Sequence, residues 1–424
     1  MMNQNPEIII IGAGAAGLMA ARELGKAGKK VLILEARDRI GGRILSLNES
    51  DFGYPAQGGA EWVHGEAPVT RGLIKEADLT LIPEDGEIWS NRTGTLSLHK
   101  QFIEGNGSLK EKLAALKEDI SIADFLEQNF TDEKDADFKN SVIKATEGYD
   151  AADPKLVSTF MLKDEFLNDS EWNDGRIKEG YTALLKFLED ECVKYAVKFV
   201  LNTPVKKIRL ENADVAVQTL QKEFRAKKVV VTVPLPLLKE IEFEPNINEK
   251  IKAASKIGFG NVIKVLIKFK TRWWEHIQGK DLSKMAFLLC NEKFLTWWTQ
   301  YPEINPVLTG WMAGPEAGKY KDASSEELLD LALDSLSNAL KVSKEKIKSE
   351  IALSKVFNWP ADPFTKGAYS YTTYKTGDAY AKLVEPIDDA IFFAGEALYS
   401  GHATATVEGA LGSGLETAQK ILSL

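Results

Sequence analysis

A short aliphatic run followed at once by closely spaced glycines limits the fold of this chain more than any other feature. Ile8–Ile11 form an unbroken apolar run, which is typical of a strand buried on both faces of a parallel sheet. Glycines follow at positions 12, 14 and 17, and residues 18–24 have helical composition. Val31–Leu34 form a second aliphatic run, and Glu35 follows it directly. This order of strand, glycine turn, helix, strand and acid predicts a dinucleotide-binding unit.

Each part of the unit has a physical role. Gly12 allows the tight turn, Gly14 lets a pyrophosphate approach the backbone, and Gly17 lets helix and strand pack closely. The helix N-terminus offers N–H groups and a positive dipole end to phosphates. Glu35 can accept hydrogen bonds from ribose hydroxyls. The predicted nucleotide-binding residues of this unit are Gly12, Ala13, Gly14, Ala16, Gly17 and Glu35.

Length and composition exclude several classes of protein. At roughly 150 residues per domain, the 424 residues predict two or three domains. The net charge is -9 and no basic block is present, so we expect no nucleic-acid partner. An acidic surface weakly favours cationic small molecules. The histidines have no metal-site spacing, so we expect no metal.

The same reasoning bears on location. The N-terminus lacks the basic region of a signal peptide, and Ile8–Ile11 is too short to span a bilayer. Two cysteines, Cys192 and Cys290, cannot form a disulfide framework and fit a reducing compartment. We therefore expect a cytoplasmic protein without a membrane anchor. The sequence does not determine the oligomeric state, and a homodimer is compatible with it.

Residues 35–43 read E-A-R-D-R-I-G-G-R. This segment resembles the second glycine motif of the flavin amine oxidase superfamily, E-A-x-x-R-x-G-G-R. The resemblance implies FAD, with Glu35 on the adenosine ribose and Arg43 near the pyrophosphate. The residues that the resemblance adds to the cofactor site are Ala36, Arg37, Gly42 and Arg43.

A second loop, residues 57–65, reads Q-G-G-A-E-W-V-H-G. It resembles the G-A-x-W-x-x-G loop of the same superfamily, which implies contact of Gly59, Ala60, Glu61 and Trp62 with the flavin. Its histidine makes it most similar to polyamine and spermine oxidases, in which this residue faces the substrate. Two interpretations of His64 stay open: it binds or deprotonates an amine, or it only orders the loop. Glu61 is a candidate anchor for a distal ammonium group.

Residues 260–270 alternate with a period of two, with Lys264, Lys268 and Lys270 on one face. The alternation alone predicts that all three lysines face solvent. The stretch also resembles the G-x-V-x-K strand of monoamine and polyamine oxidases. That resemblance implies that Lys264 reaches the flavin N5 through a water and stabilises charge when the reduced flavin meets oxygen.

The C-terminal part carries further matches. Trp359 and Tyr369 stand where the family places aromatic residues beside the flavin and the amine, although both are also ordinary core residues by composition. Some members carry a cysteine at the position of Ala368 and bind FAD covalently, so we expect non-covalent FAD here. Residues 391–410 resemble the F-A-G-E motif and flavin-binding helix, and Thr406 replaces the second cage tyrosine of monoamine oxidases. The remaining residues implied in FAD binding are Val205, Gly395, Glu396, Thr406 and Val407.

The resemblance runs from Ile8 to Ala410 and implies an α/β fold. It consists of a Rossmann-like FAD-binding domain with a β-meander and an α+β substrate domain, interleaved in sequence. The expected boundaries are 1–78, 180–251 and 358–424 for the FAD-binding domain, and 79–179 and 252–357 for the substrate-binding domain.

The implied activity is FAD-dependent amine oxidation. Hydride passes from the amine α-carbon to flavin N5, the imine hydrolyses to an aldehyde, and O₂ is reduced to H₂O₂. The expected partners are a polyamine or a primary amine, together with O₂. Alternatives are a primary monoamine oxidase, an amine dehydrogenase that uses another acceptor, a desaturase-like flavoprotein and a non-catalytic FAD-binding protein.

Overall fold

A five-stranded parallel sheet forms the centre of the first structural unit. The structure is a computed structural model that describes residues 6–92, 94–103, 107–167, 173–212, 214–401 and 403–424. Ile8 and Ile10 pack on one side of the sheet and Ile9 and Ile11 on the other, so the first strand is buried on both faces. In spatial order the strands are Ile391–Phe393, Lys228–Val231, Ile8–Ile11, Val31–Leu34 and Lys198–Val200.

One face of this sheet is covered by helices, and the other is covered by the β-meander. The helices on the first face include Ala15–Lys26, Tyr181–Lys194 and Val407–Ser423. The meander consists of Val205–Glu211, Asp214–Thr219 and Glu223–Ala226 in antiparallel order, and Glu242–Glu244 adds to it in parallel.

The aliphatic and alternating runs of residues 199–234 predict the meander, which is thus confirmed, but the first and last of these runs do not belong to it. The flanking runs at 198–200 and 228–231 pair within the parallel sheet instead. The run at 228–231 forms a central strand of that sheet, where continuous aliphatic residues are buried on both faces.

The second unit is built on a seven-stranded mixed sheet. A long helix, Ser325–Leu340, packs on it and begins with a capping box between Ser324 and Glu327. All neighbouring strands pair in antiparallel fashion except Met285–Leu289 with Glu87–Ser90. The spatial order is Ile351–Asn358, Val262–Phe269, Val307–Ala313, Thr296–Trp298, Met285–Leu289, Glu87–Ser90 and Ser97–His99.

A group of helices, here called the helical cap, lies next to the second sheet and has its own apolar core. It consists of Gly107–Ala114, Ile122–Asn129, Ala136–Tyr149 and Thr159–Leu167. Three small sheets complete the strands: Trp62–Val63 with Gly175–Ile177 and Leu81–Pro83, Gly258–Phe259 with Ser370–Tyr371, and His276–Ile277 with Lys280–Asp281. The other helices are Glu49–Phe52, Pro68–Glu76, Asn248–Ala254, Pro315–Lys319, Lys344–Glu350 and Ala379–Val384, with short 3₁₀ turns at Glu133–Asp135, Leu235–Glu240, Trp359–Ala361 and Glu396–Leu398.

The predicted fold class is confirmed: the chain combines a parallel sheet, a meander and a second α+β unit, interleaved along the sequence. The strands of the parallel sheet come from three separate sequence segments, and the domain boundaries given above stay a prediction. Within the described ranges, each helix is too short or too polar to cross a bilayer.

Candidate active site

A cavity of about 2450 Å³ extends from the glycine turn of the parallel sheet to the helical cap. It is larger than a pocket for a small ligand alone, which is typically about 300–1,000 Å³. The sequence-predicted site residues line it, with two exceptions, Ala13 and Gly17. Residues separated by nearly 400 positions in the chain therefore meet at one site.

The glycine turn opens directly into this cavity. Gly12 has a φ of 109°, which favours glycine, and a Cβ atom on Gly17 would lie 2.0 Å from the Gly12 carbonyl oxygen. A Cβ atom on Gly14 would meet no described protein atom within 4 Å. Gly14 precedes the helix Ala15–Lys26, so the open space lies at a helix N-terminus, where a pyrophosphate group fits.

Glu35 lies at the edge of the cavity with both carboxylate oxygens held by the backbone. Its Oε2 accepts a hydrogen bond of 2.7 Å from the Ala13 N–H, and its Oε1 accepts one of 2.8 Å from the Arg37 N–H. A carboxylate held in this way could accept hydrogen bonds from ribose hydroxyls, and that role of Glu35 stays a prediction. Val205 and Ala36 line the same part of the cavity.

The Arg37 side chain connects this region to the C-terminal part of the chain. Its guanidinium group donates two hydrogen bonds to Asp362, of 3.0 and 2.6 Å. Burial raises the pKa of Asp362, but the hydrogen bond and charge of Arg37 outweigh it, so the pKa lies below its ordinary value. Arg37 is thus engaged with protein rather than pointing freely into the cavity.

Arg43 occupies the centre of the cavity wall. Its Nη1 donates to the Ala368 carbonyl at 2.6 Å and to Glu396 Oε1 at 2.8 Å, and the Ser370 hydroxyl donates to Glu396 Oε2 at 2.6 Å. Thr406 caps the helix Val407–Ser423 by accepting from the Gly409 N–H at 3.1 Å. A second helix N-terminus therefore borders the cavity.

Lys264 does not face solvent. Only 1% of its side chain is exposed, because the strand Val262–Phe269 is covered on both faces. The interpretation from alternation alone is therefore wrong for Lys264, whereas Lys270 is exposed. The Lys264 ammonium donates to Glu61 Oε2 at 2.7 Å and to the Gly59 carbonyl at 3.2 Å, and it lines the cavity.

The Glu61 carboxylate is surrounded by donors from the second unit. Trp298 Nε1 donates to it at 3.2 Å and Gln300 Nε2 at 3.0 Å. Arg176 Nη1 lies 3.8 Å away. With these partners in addition to Lys264, Glu61 is occupied within the protein and is not placed to anchor a distal ammonium.

Burial and the neighbouring charges have opposite effects on the pKa values of Glu61 and Lys264. Burial raises the pKa of Glu61, but Lys264 and Arg176 outweigh it, so its pKa lies below the ordinary value and Glu61 is a carboxylate. Burial lowers the pKa of Lys264, and the attraction of Glu61 opposes that change only in part. Arg176 also stacks 4.7 Å above the Trp62 ring and donates to the Tyr301 carbonyl at 2.6 Å.

His64 lies in the cavity wall with 33% of its side chain exposed. Its Nδ1 is 2.7 Å from Asp174 Oδ2, and its ring contacts Tyr149 edge-on at 5.6 Å between centroids. Asp174 and Tyr149 were not identified from the sequence, since both lie far from His64 in the chain.

Aromatic side chains form much of the remaining wall. Trp62 lies 5.6 Å from Phe287 between ring centroids, and the Trp359 indole N–H donates to the Gly58 carbonyl at 3.2 Å. The Tyr369 hydroxyl donates to the Tyr149 carbonyl at 2.7 Å. Tyr371 packs into the core of the helical cap.

Two acidic residues that the sequence reasoning missed line the same cavity. Asp150 follows the helix Ala136–Tyr149, and Glu165 lies on the helix Thr159–Leu167. Burial and the neighbouring carboxylate raise the pKa of Asp150 well above its ordinary value. Burial, with a smaller effect of Asp164, raises the pKa of Glu165 to about 7. By accessible surface Glu165 is an exposed residue, and it lines the cavity.

Comparison with known proteins identifies the family to which this chain belongs. The sequence model of the family described as flavin containing amine oxidoreductase matches residues 15–422. The chain belongs to this family. It is a flavin amine oxidase, and its cofactor is FAD.

Relatives of this flavin amine oxidase support the assignment. Probable polyamine oxidase 4 of Arabidopsis thaliana is 28% identical, with 98% of this chain and 87% of the relative covered. Lysine-specific histone demethylase 2 of Homo sapiens is also 28% identical over 98% of this chain, but the chain spans only 53% of its length.

Solved structures show the same fold. Wild-type putrescine oxidase bound to putrescine has a TM-score of 0.82 at 20% identity, with 99% of this flavin amine oxidase and 100% of that chain covered. Cyclohexylamine oxidase from Brevibacterium oxydans IH-35A has a TM-score of 0.80 at 20% identity, with 99% of each chain covered.

The residues of this flavin amine oxidase fit the cofactor. The open space at Gly14 suits the pyrophosphate, the Glu35 carboxylate suits the ribose, and the helix that Thr406 caps suits an electron-rich ring edge. These placements, like the individual roles of the predicted site residues, stay predictions.

Proposed function

We propose that this flavin amine oxidase oxidises a primary diamine or a polyamine. The observation that carries this proposal is the pair Asp150 and Glu165, two carboxyl groups that line the same cavity as the aromatic side chains of Trp62 and Tyr369. A second ammonium group at the far end of a substrate would be attracted to this pair, above all to the ionised form of Glu165. The names of the relatives, polyamine oxidase and putrescine oxidase, agree with this substrate class.

The reacting amine is proposed to lie between Trp62 and Tyr369, which exclude water from it. Exclusion of water favours the neutral amine over its ammonium form. When bound, FAD accepts a hydride from the amine α-carbon at N5 and passes the electrons to O₂, giving H₂O₂ and an imine that hydrolyses to an aldehyde.

Lys264 and Glu61 are proposed to act on the cofactor side of the cavity. The ammonium group of Lys264 is held in place by Glu61, so its positive charge needs no reorganisation when negative charge develops nearby. O₂ as acceptor, the cytoplasmic location and a homodimer stay predictions.

Anaerobic bleaching of the flavin by a panel of amines tests the proposal. The panel contains spermine, spermidine, putrescine, benzylamine, phenethylamine, a cycloalkylamine and an L-amino acid. We expect fast bleaching by putrescine or the polyamines, and peroxide when oxygen is admitted. Preference for benzylamine or phenethylamine would favour a monoamine oxidase, and slow reoxidation would favour a dehydrogenase. No bleaching by any amine would contradict the proposal and favour a desaturase-like or non-catalytic flavoprotein.

A further inference from the structure

Asp174 binds the His64 loop through both oxygens of its carboxylate. Oδ2 lies 2.7 Å from His64 Nδ1, and Oδ1 accepts a hydrogen bond of 2.9 Å from the Gly65 N–H. Arg71 donates to the Gly65 carbonyl at 2.9 and 3.2 Å and also to the Asn173 carbonyl. The loop that carries His64 and the loop that carries Asp174 are therefore held together by two side chains, Asp174 and Arg71.

This contact determines which imidazole nitrogen carries the proton. The Tyr149 hydroxyl also lies near Nδ1, at 3.4 Å, and can either donate or accept, so the closer carboxylate decides the tautomer. A carboxylate accepts hydrogen bonds and cannot donate them, so a neutral His64 holds its proton on Nδ1. Its Nε2 then presents a lone pair. Among the described residues Nε2 has no hydrogen-bond partner, and His64 lines the cavity.

The charges around Asp174 are consistent with an ionised carboxylate. Burial raises the pKa of Asp174, but the hydrogen bond of His64, and its charge when the ring is protonated, outweigh it, so the pKa lies below its ordinary value. Arg71 adds a further favourable charge, while Glu84, Tyr149 and Tyr181 are the other titratable neighbours of Asp174 among the described residues.

We propose that Asp174 is a positioning residue that holds His64 as the Nδ1–H tautomer, so that Nε2 accepts a proton from the substrate ammonium. This inference rests on the proposed amine oxidation. In the step, an N–H bond of the ammonium breaks and its electron pair stays on the amine nitrogen. A new N–H bond forms at Nε2, and the imidazolium is paired with Asp174. No oxidant is required, and the amine gains the lone pair that departure of a hydride from its α-carbon needs.

The tautomer can be measured without any amine. In the holoenzyme labelled with ¹⁵N-histidine, the signals of His64 are identified by their loss in His64→Gln. We expect a proton on Nδ1 in the wild type. In Asp174→Asn, one amide oxygen must serve two donors, so the preference should be lost. A proton on Nε2 in the wild type would overturn the proposal, and this result needs no variant at Asp174 to fold.

A double-mutant cycle separates positioning from simple ordering of the loop. With putrescine under anaerobic conditions, Asp174→Asn should slow flavin reduction by at least about tenfold. In the His64→Gln background the same change should slow it by no more than about twofold, because the group through which Asp174 acts is gone. Equal slowing in both backgrounds would show that Asp174 only orders the loop through Gly65 and would overturn the proposal.

Glu84→Gln is the matched control, since Glu84 lines the same cavity beside Asp174 and makes no contact with His64 in the described chain. It should leave both the tautomer and the rate of reduction unchanged. The two experiments also separate this inference from the proposed function. Absence of bleaching by every amine would refute amine oxidation, whereas the ¹⁵N spectra test the link between Asp174 and His64 independently.

Discussion

The ammonium nitrogen of Lys264 lies 2.7 Å from the Glu61 carboxylate, and the two side chains are 1% and 4% exposed. Each is the principal charge partner of the other, and both side chains are buried. Removing one member of a buried pair leaves an uncompensated charge, which is more costly than removing both.

Glu61→Gln should therefore lower the free energy of unfolding of the holoenzyme by about 3–5 kcal/mol. The double variant Glu61→Gln/Lys264→Met should lose less than the sum of the two single variants, because neither member of the pair is left behind as a charge without the other. Urea denaturation of the three variants measures this difference. Lys268→Met is the control, since Lys268 is on the same strand but, among the residues that the structure describes, donates only to the Asp51 carbonyl. Strict additivity would contradict the pairing.

Lys264→Met should also slow reoxidation of the reduced flavin by O₂ by at least about tenfold, because the fixed positive charge is lost. Flavin occupancy should change much less. Stopped-flow mixing of the reduced enzyme with oxygen gives the rate, and the visible absorbance of the purified protein gives the occupancy. Lys268→Met serves again for comparison. An unchanged rate would make Lys264 a structural residue only.

Gly14→Ala and Gly17→Ala should have different effects, the first on flavin content and the second on thermal stability. A methyl group on Gly17 would lie 2.0 Å from the Gly12 carbonyl oxygen, so this variant should unfold at a lower temperature. A methyl group on Gly14 meets no described protein atom within 4 Å but occupies the space assigned to the pyrophosphate. Gly14→Ala should fold and lose flavin. The flavin-to-protein ratio and thermal unfolding distinguish the two, and full flavin content in Gly14→Ala would contradict the assignment.

The carboxylate of Glu165 should make the preference for diamines depend on pH. Its pKa is raised to about 7, so it is neutral at lower pH and charged at higher pH. The charged form attracts a distal ammonium, and the advantage of putrescine over benzylamine should decrease as the pH falls from about 8 to about 6.

The ratio of kcat/KM for the two amines is the measurement, because effects on the reacting nitrogen are shared by both substrates and largely cancel. Glu165→Gln should give a low ratio that no longer varies with pH. A wild-type ratio that stays constant across this range would exclude Glu165 from binding the second ammonium.

The flavin should leave the protein on denaturation. Ala368 has no nucleophilic side chain with which to form a bond to FAD. Acid precipitation should therefore release all flavin into the supernatant, where its absorbance is measured. Flavin that sediments with the denatured chain would show a covalent link and contradict the prediction from Ala368.

The sequence predicts the parallel sheet and the nucleotide-binding turn well, because their signals are local. Strand, glycine turn and helix follow one another within residues 8–26, and each element carries its own pattern. The contacts that define the substrate side are different. His64 and Asp174 are 110 positions apart, and no spacing rule links them.

The predictions from sequence failed mainly where a charged residue lies inside the protein. Alternation along the strand Val262–Phe269 cannot distinguish a strand with one solvated face from one that is covered on both faces. Only the tertiary arrangement brings Glu61 and Arg176 to Lys264 and keeps the lysine in the interior. For the same reason Asp150 and Glu165 resemble ordinary surface acids in the sequence.

The parallel sheet also has an implication for biosynthesis. Its edge strand Ile391–Phe393 and the covering helix Val407–Ser423 leave the ribosome nearly 400 residues after the glycine turn at Gly12. Until they arrive, the helix Ala15–Lys26 lacks one of the two helices against which it packs, the other being Tyr181–Lys194. The nascent N-terminal segment therefore keeps apolar surface exposed until synthesis is nearly complete. Tight binding of FAD then follows translation.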